Sequence, residues 1–195
     1  MRKIKIISVI VVFAVGGILS ACGSKDTPDG LKVNKVDATE AYADAQKVQG
    51  KGSDFEYTVN SDGATITLYK GKDTEVVIPD EIDGNVVIGI DINAFVSDKV
   101  TKITLPKGLV EIKTVNFSKC TNLNELILND GLVTIEYCAF TDCNNLKELY
   151  IPSSVTDITY SSFPDPTITK IYVQTADDQA AIVAAQNLIA YEVKE

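Results

Sequence analysis

From residue 75 onward, apolar residues return in one frame. Val100, Ile103 and Leu105 occupy relative positions 1, 4 and 6 of a short run closed by Pro106. The run returns as Leu123, Leu126 and Leu128 before Asn129, and as Leu146, Leu149 and Ile151 before Pro152. It returns once more as Ile168, Ile171 and Val173 before Gln174, so the steps are 23, 23 and 22 residues. Other columns keep the step: Ile112, Ile135 and Ile158; Phe117, Phe140 and Phe163; Cys120 and Cys143; Asn122 and Asn145. A looser unit precedes them. Val76-Val77-Ile78-Pro79 matches the run, Ile90 to Ala94-Phe95 matches the second half, and Asp83-Gly84-Asn85 reads as a turn that lengthens it.

A short β-rich run with alternate apolar positions turns one face inward. When the next unit repeats the run, the strands stack in parallel, about 4.8 Å apart. One unit cannot bury its apolar face alone, whereas a stack can. Proline after position 6 (Pro79, Pro106, Pro152) ends each strand, because it brings no N–H to the ladder. The ends of such a stack need covers. Phe55 to Val59 and Ala64 to Tyr69 flank Asn60-Ser61-Asp62-Gly63 and read as a β-hairpin over the N-terminal end. Thr175-Ala176-Asp177-Asp178 reads as a capping box before a helix to about Asn187, and Leu188 to Val193 as a last strand. The expected fold is α/β, predominantly β: a right-handed solenoid of stacked parallel strands, with an N-terminal β-hairpin cap and a C-terminal helical cap.

The start of the chain has a different pattern. Arg2, Lys3 and Lys5 precede an apolar stretch from Ile6 to Leu19, which Leu19-Ser20-Ala21-Cys22 closes. The stretch is shorter than the ~20 residues a spanning helix needs. It resembles the lipobox of bacterial lipoprotein signal peptides. That resemblance implies cleavage before Cys22 and diacylglycerol on its thiol. Two acyl chains hold a protein stably on a bilayer. Residues 23–52 are polar and turn-rich at their start, with a mixed-charge, alanine-containing stretch from Ala38 to Val48, and read as a tether. The expected organisation is a signal peptide at 1–22, a tether at 23–52 and the repeat domain with its caps at 53–195.

Composition narrows the function. The chain has no histidine, which removes the usual general base near neutral pH and the commonest metal ligand. Serine and cysteine nucleophiles that depend on a histidine base are excluded. Net charge is −9; without the three basic residues of the leader it is 15 against 27, or −12. Such a balance disfavours nucleic acid. Cys120, Cys138 and Cys143 remain beside Cys22. Cys120 and Cys143 share a column and read as buried thiols acting as small hydrophobes, with a disulfide between them as the alternative. Three thiols without a paired Cys-x-x-Cys make a poor zinc set. Glu125 and Glu148 lie one repeat apart, but read as charges on a solvated face rather than a hydrolytic pair. No catalytic residue, metal site or cofactor is expected.

The strand face offers the better candidate. Position 5 points away from the core and reads Val77, Thr104, Ile127, Tyr150, Tyr172. Position 3 reads Glu75, Lys102, Glu125, Glu148, Lys170. Exposed aromatics beside charges suit an interface, although the same residue types are also good strand formers. Thr104, Glu125, Ile127, Glu148, Tyr150, Lys170 and Tyr172 are the candidate binding residues.

The unit L-x-x-[IL]-x-[IL]-P-x-x-[VL]-x-x-I-x-x-x-A-F-x-x-C resembles the BspA-like leucine-rich repeats of bacterial surface proteins, over about residues 55–174. Ile135, Ala139-Phe140 and Cys143 match it best. Departures are Asn116 and Ser162 for alanine, Asn129 for proline and Pro166 for cysteine, and they suggest local loosening near the end of the stack, not a different fold. The resemblance implies surface exposure and adhesion or host interaction. The expected function is a lipid-anchored module that binds an extracellular protein or glycan and meets the membrane through Cys22. Alternatives are a structural envelope or spacer protein, and a cell-wall hydrolase or solute-binding lipoprotein.

Overall fold

The computed structural model describes residues 54–96, 99–163 and 167–194, with the side chain of residue 160 left aside. The leader, Cys22, the tether and Pro166 lie outside the described residues. The elements are β1 (Phe55–Val59), β2 (Ala64–Tyr69), β3 (Glu75–Val77), β4 (Glu81–Ile82), β5 (Asn85–Ile90), β6 (Lys102–Thr104) and β7 (Glu111–Ile112). They continue with β8 (Glu125–Ile127), β9 (Thr134–Ile135), β10 (Glu148–Tyr150), β11 (Asp157–Ile158), β12 (Lys170–Val173), helix α1 (Gln179–Gln186) and β13 (Ala190–Val193).

The repeat builds a solenoid, as its period predicts. Parallel strands stack on one side, in the order β3-β6-β8 and then β10-β12-β13. The two-residue strands β7-β9-β11 form a second parallel ladder along the back. Register is repeat on repeat: Lys102 pairs with Glu75 and Glu125, Ile103 with Val76 and Leu126, Ile112 with Ile135. The inward residues of every turn meet in one buried cluster. The strand ladder is not continuous, however, and divides between β8 and β10.

The phenylalanine column becomes a ladder of rings. Centroids of Phe95, Phe117, Phe140 and Phe163 follow one another at 6.2, 6.3 and 6.3 Å. Tyr69 stacks on Phe95 at 5.7 Å, and Phe55 lies 5.4 Å from Tyr69, so the column runs on into the N-terminal cap. At two of the rings a thiol ties one turn to the next. Cys120 donates to the carbonyl of Phe95 at 3.1 Å and Cys143 to that of Phe117 at 2.8 Å. Both are buried and free, and neither is joined in a disulfide. The Cys120 sulfur and burial together push the Cys143 thiol up, so it stays protonated.

The caps form where the patterns placed them. β1 and β2 pair antiparallel across the Asn60–Gly63 turn, whose Asn60 Oδ1 accepts from Asp62 and Gly63 N–H at 2.8 and 3.0 Å. A Cβ on Gly63 would lie 2.4 Å from the carbonyl of Val86, so only glycine fits. Asp83-Gly84 is more than a lengthening turn: with φ of 50° and 78° it closes a hairpin of β4 and β5. Two left-handed residues in a two-residue loop suit the twist of such a hairpin. Tyr57 of the cap donates to the Asp83 carboxylate. At the other end the helix starts later than the Thr175 box predicted. Asp178 is its N-cap residue, and the Asp178 carboxylate turns back to accept from Gln174 N, Thr175 N and Thr175 Oγ1 at 2.8–2.9 Å. The carboxylate therefore locks the loop before the helix rather than the helix itself. β13 then adds in parallel to β12.

The expected loosening at Asn116, Ser162 and Asn129 is not what these residues produce. Where the column holds alanine, the N–H after one isoleucine bonds straight to the isoleucine carbonyl of the turn before. Asp91 N reaches Ile66 O at 2.7 Å and Glu136 N reaches Ile112 O at 2.9 Å. In the two odd turns a side chain is inserted into that rung. Lys113 N donates to Asn116 Oδ1 at 2.7 Å while Asn116 Nδ2 donates to Ile90 O at 3.0 Å. Thr159 N donates to Ser162 Oγ at 3.2 Å, and Ser162 Oγ donates to Ile135 O at 2.7 Å. Asn129 Nδ2 likewise bonds Lys107 O and Leu109 O, at 3.2 and 2.9 Å. All three side chains are buried ties between turns.

Two columns carry left-handed backbone; Lys119 and Asp142, with φ of 63° and 62°, form one, and the other is the more strained. Asn93, Val115 and Cys138, one per turn, have φ of 63°, 54° and 52°. Asparagine tolerates the left-handed region, whereas a β-branched valine is a true outlier there. Val115→Asn is expected to raise stability by about 1 kcal/mol, read as a higher denaturation midpoint. A lower midpoint would show that valine's packing outweighs the strain.

Candidate functional site

The face of the strand ladder is set by register. Positions 3 and 5 of every strand lie on it, because positions 4 and 6 are taken by the core. β13 extends it by one strand, with Glu192 beside Tyr172. Glu192 and Lys194 thus join a face the repeat alone did not include. The only signal for them was the strand-like Leu188–Val193 stretch, which falls outside the 23-residue frame.

The ladder brings the candidate residues together, but not as the exposed set the alternation suggested. Thr104 is fully buried, and Ile127 and Tyr172 are each only 5% exposed. The physical reason is the stack. Each position 5 side chain is flanked by the equivalents one strand away, Val77 and Ile127 in the case of Thr104. At about 4.8 Å spacing such neighbours leave little room for water. Glu125, Glu148, Tyr150 and Lys170 are half-buried. The Thr104 hydroxyl is buried with no hydrogen-bond partner among the described residues. Thr104→Val is expected to stabilise the fold by about 1 kcal/mol, since it removes an unpaired polar group at nearly constant shape. An unchanged or lower midpoint would mean that the hydroxyl is satisfied in solution.

Much of the face is paired with itself. Lys102 Nζ lies 3.0 Å from Glu125 Oε1. Tyr172 donates to Glu148 Oε2 at 2.8 Å. Lys170 Nζ meets Glu192 Oε2 at 2.6 Å and lies 4.6 Å from the Tyr172 ring centre. Lys194 Nζ lies 3.9 Å from the same centre. Two ammonium groups against one ring are cation–π contacts that hold its position. Burial and the Glu148 carboxylate push the Tyr172 phenol up. Burial alone would lower Lys170, but its bonds to Glu192 and Tyr172 outweigh that and leave it raised. Both groups therefore keep their protons through neutral pH.

The back carries different chemistry. Val110 and Val133 stand one repeat apart and are 55% and 42% exposed, and Tyr137 is 56% exposed. Glu136 bridges two turns there, accepting from Thr114 N at 2.7 Å and Thr114 Oγ1 at 2.8 Å. The Thr114 backbone bond, then its hydroxyl, hold the Glu136 carboxyl below its ordinary 4.5. A depressed folded value means the stabilisation is fully present above 4.5 and is lost as pH falls through the lower folded value. Glu136→Gln is expected to flatten the fall in stability below pH 4.5 relative to the native chain. Parallel pH profiles for the two proteins would refute the assignment. Among the described residues no group of three or more Cys, Asp or Glu is placed to hold a metal.

This architecture, with a short face strand and a two-residue back strand in each central turn and apolar columns at fixed positions, defines a leucine-rich-repeat solenoid. The chain belongs to the BspA-type leucine-rich repeat family: the family's repeat region matches residues 74–179 in six copies. Solved structures agree. A leucine-rich repeat protein of T. pallidum is 26% identical with a TM-score of 0.55, over 64% of this chain and 71% of that one. A leucine-rich repeat protein from Bacteroides capillosus is 27% identical with a TM-score of 0.56, over 66% of this chain and 98% of that one. A leucine-rich cell surface protein from Faecalibacterium prausnitzii shares the fold at 24% identity and a TM-score of 0.51, over 61% of this chain and 32% of that one. No curated protein matches the sequence.

Proposed function

We propose that this protein is a binding module, held outside the bacterial cell by a lipid on Cys22, that uses its strand face to grip an extracellular protein or glycan. The observation that carries the reading is the face itself. Six strands, in two three-stranded ladders, carry Tyr150 and charges of both signs beside the more deeply buried Ile127 and Tyr172. Tyrosines with polar tips, ringed by charges, are what interface cores and rims are made of. Membership of a repeat family built on such faces favours binding over catalysis. The lipobox-like Leu19-Ser20-Ala21-Cys22 supports the anchor.

The face test uses the chain with Cys22→Ser, screened against extracellular host proteins and a glycan array. A saturable ligand lost in the triple variant Glu125→Lys, Glu148→Lys, Tyr150→Ala supports the reading. A ligand held equally well by that folded variant sinks the face. The anchor is tested separately: Cys22→Ser should move the protein out of the membrane fraction and abolish fatty-acid labelling, and unchanged labelling refutes it. The pairing of Lys102 with Glu125 and of Lys170 with Glu192 favours one second reading, a spacer whose face is simply self-satisfied. A screen without ligands would move the weight there.

A further inference from the structure

The two ladders of the solenoid do not break in the same place. On the back, β9 pairs with β11, Thr134 with Asp157 and Ile135 with Ile158. The rings of Phe140 and Phe163 stack at 6.3 Å. These are the turns that carry β8 and β10, yet on the face the ladder stops at β8 and restarts at β10. Asn124 N and Glu125 N bond to Thr101 O below, and Thr169 N and Lys170 N to Lys147 O. Among the described residues no equivalent bond ties Lys147 or Glu148 to Asn124.

The charges of position 3 mark the same place. Along Glu75, Lys102, Glu125, Glu148 and Lys170 the sign alternates at every step but one, between Glu125 and Glu148. Like charges opposite one another on neighbouring strands destabilise the pairing. Each carboxylate turns to an outer partner, Glu125 to Lys102 at 3.0 Å and Glu148 to the Tyr172 hydroxyl at 2.8 Å.

We propose that this seam is a one-sided hinge. The back ladder, the ring column and the Asn145 Nδ2 bond to Thr121 O at 2.8 Å hold the turns together, while repulsion between Glu125 and Glu148 keeps the strand ladder open between β8 and β10. The two leaves of the face flex about the β9–β11 line, and neutralising either carboxylate closes the ladder. This holds whatever the face binds.

Amide hydrogen exchange on the full chain tests it, comparing the native protein with Glu148→Gln. Glutamine keeps an acceptor for the Tyr172 hydroxyl and removes the charge. Amides of residues 125–128 and 147–151 should exchange roughly threefold to fivefold more slowly in the variant. Raised salt should slow the same amides in the native chain, since it screens exposed charges. Amides of β6 and β9 should be unaffected by either change. Should Glu148→Gln lower the melting temperature, Glu125→Gln supplies the same comparison from the other side. Unchanged seam exchange in a folded variant overturns the proposal. Seam amides already as protected as those of β6 in the native chain overturn it too.

Discussion

Phe117→Ala is expected to lower the unfolding free energy by about 3–5 kcal/mol. The ring is fully buried and stands between Phe95 and Phe140, 6.2 and 6.3 Å away. Its loss opens a cavity in the middle of the column. The walls cannot collapse into it, because the face ladder β3-β6-β8 holds the turns on both sides and β7 pairs with β9 on the back. In a solenoid each turn is stabilised by its neighbours, so a defect in a central turn weakens two interfaces at once. Phe163→Ala, nearer the end of the ring column, should cost distinctly less. Urea denaturation midpoints of the two variants decide it. A loss below about 1 kcal/mol at Phe117, where a large buried ring should cost several, would show that the column does not bind the turns together. Equal losses at both positions would show the same.

Asn116→Leu is expected to cost about 3 kcal/mol, the next largest effect. The substitution keeps the bulk but ends the relay from Lys113 N through the side chain to Ile90 O. It leaves a donor and an acceptor unmet, and each such buried group costs about 1–3 kcal/mol. Asn116→Ala should cost less than half as much. The turns with Ala94 and Ala139 close the same rung directly, so the smaller residue gives this turn that route. Thermal or urea midpoints of the pair give the answer. If alanine proves as damaging as leucine, the turn cannot adopt its neighbours' geometry and the equivalence drawn between turns is wrong.

These effects show what sequence could and could not deliver. A 23-residue step in several columns specifies stacked strands, because only stacking buries every column, and the hairpin and last strand followed from alternation and turn residues. Position 5 is more buried than alternation predicts, because alternation separates inward from outward but ignores the neighbours one strand away. Thr104 points outward and is nonetheless fully buried. Asn116 and Ser162 looked like lapses from a pattern because a consensus records residue types, not the rung a polar side chain enters. The repeat alone sets Glu125 and Glu148 one step apart, but that the face ladder stops between their strands while the back ladder runs on is visible only in the fold. The left-handed φ of Val115 is hidden altogether, since valine is the residue least suited to announce it.

The most direct test of the strand face as the working surface is site-specific photo-crosslinking. A crosslinking amino acid replaces Tyr150 on the face in one variant and the exposed Tyr137 on the back in another. Each is displayed on the native cell and illuminated in the presence of host extracellular material. Crosslinks to a discrete partner from position 150, with none from position 137, are the predicted result. Crosslinks from position 137 alone would contradict it and place the working surface on the back of the solenoid.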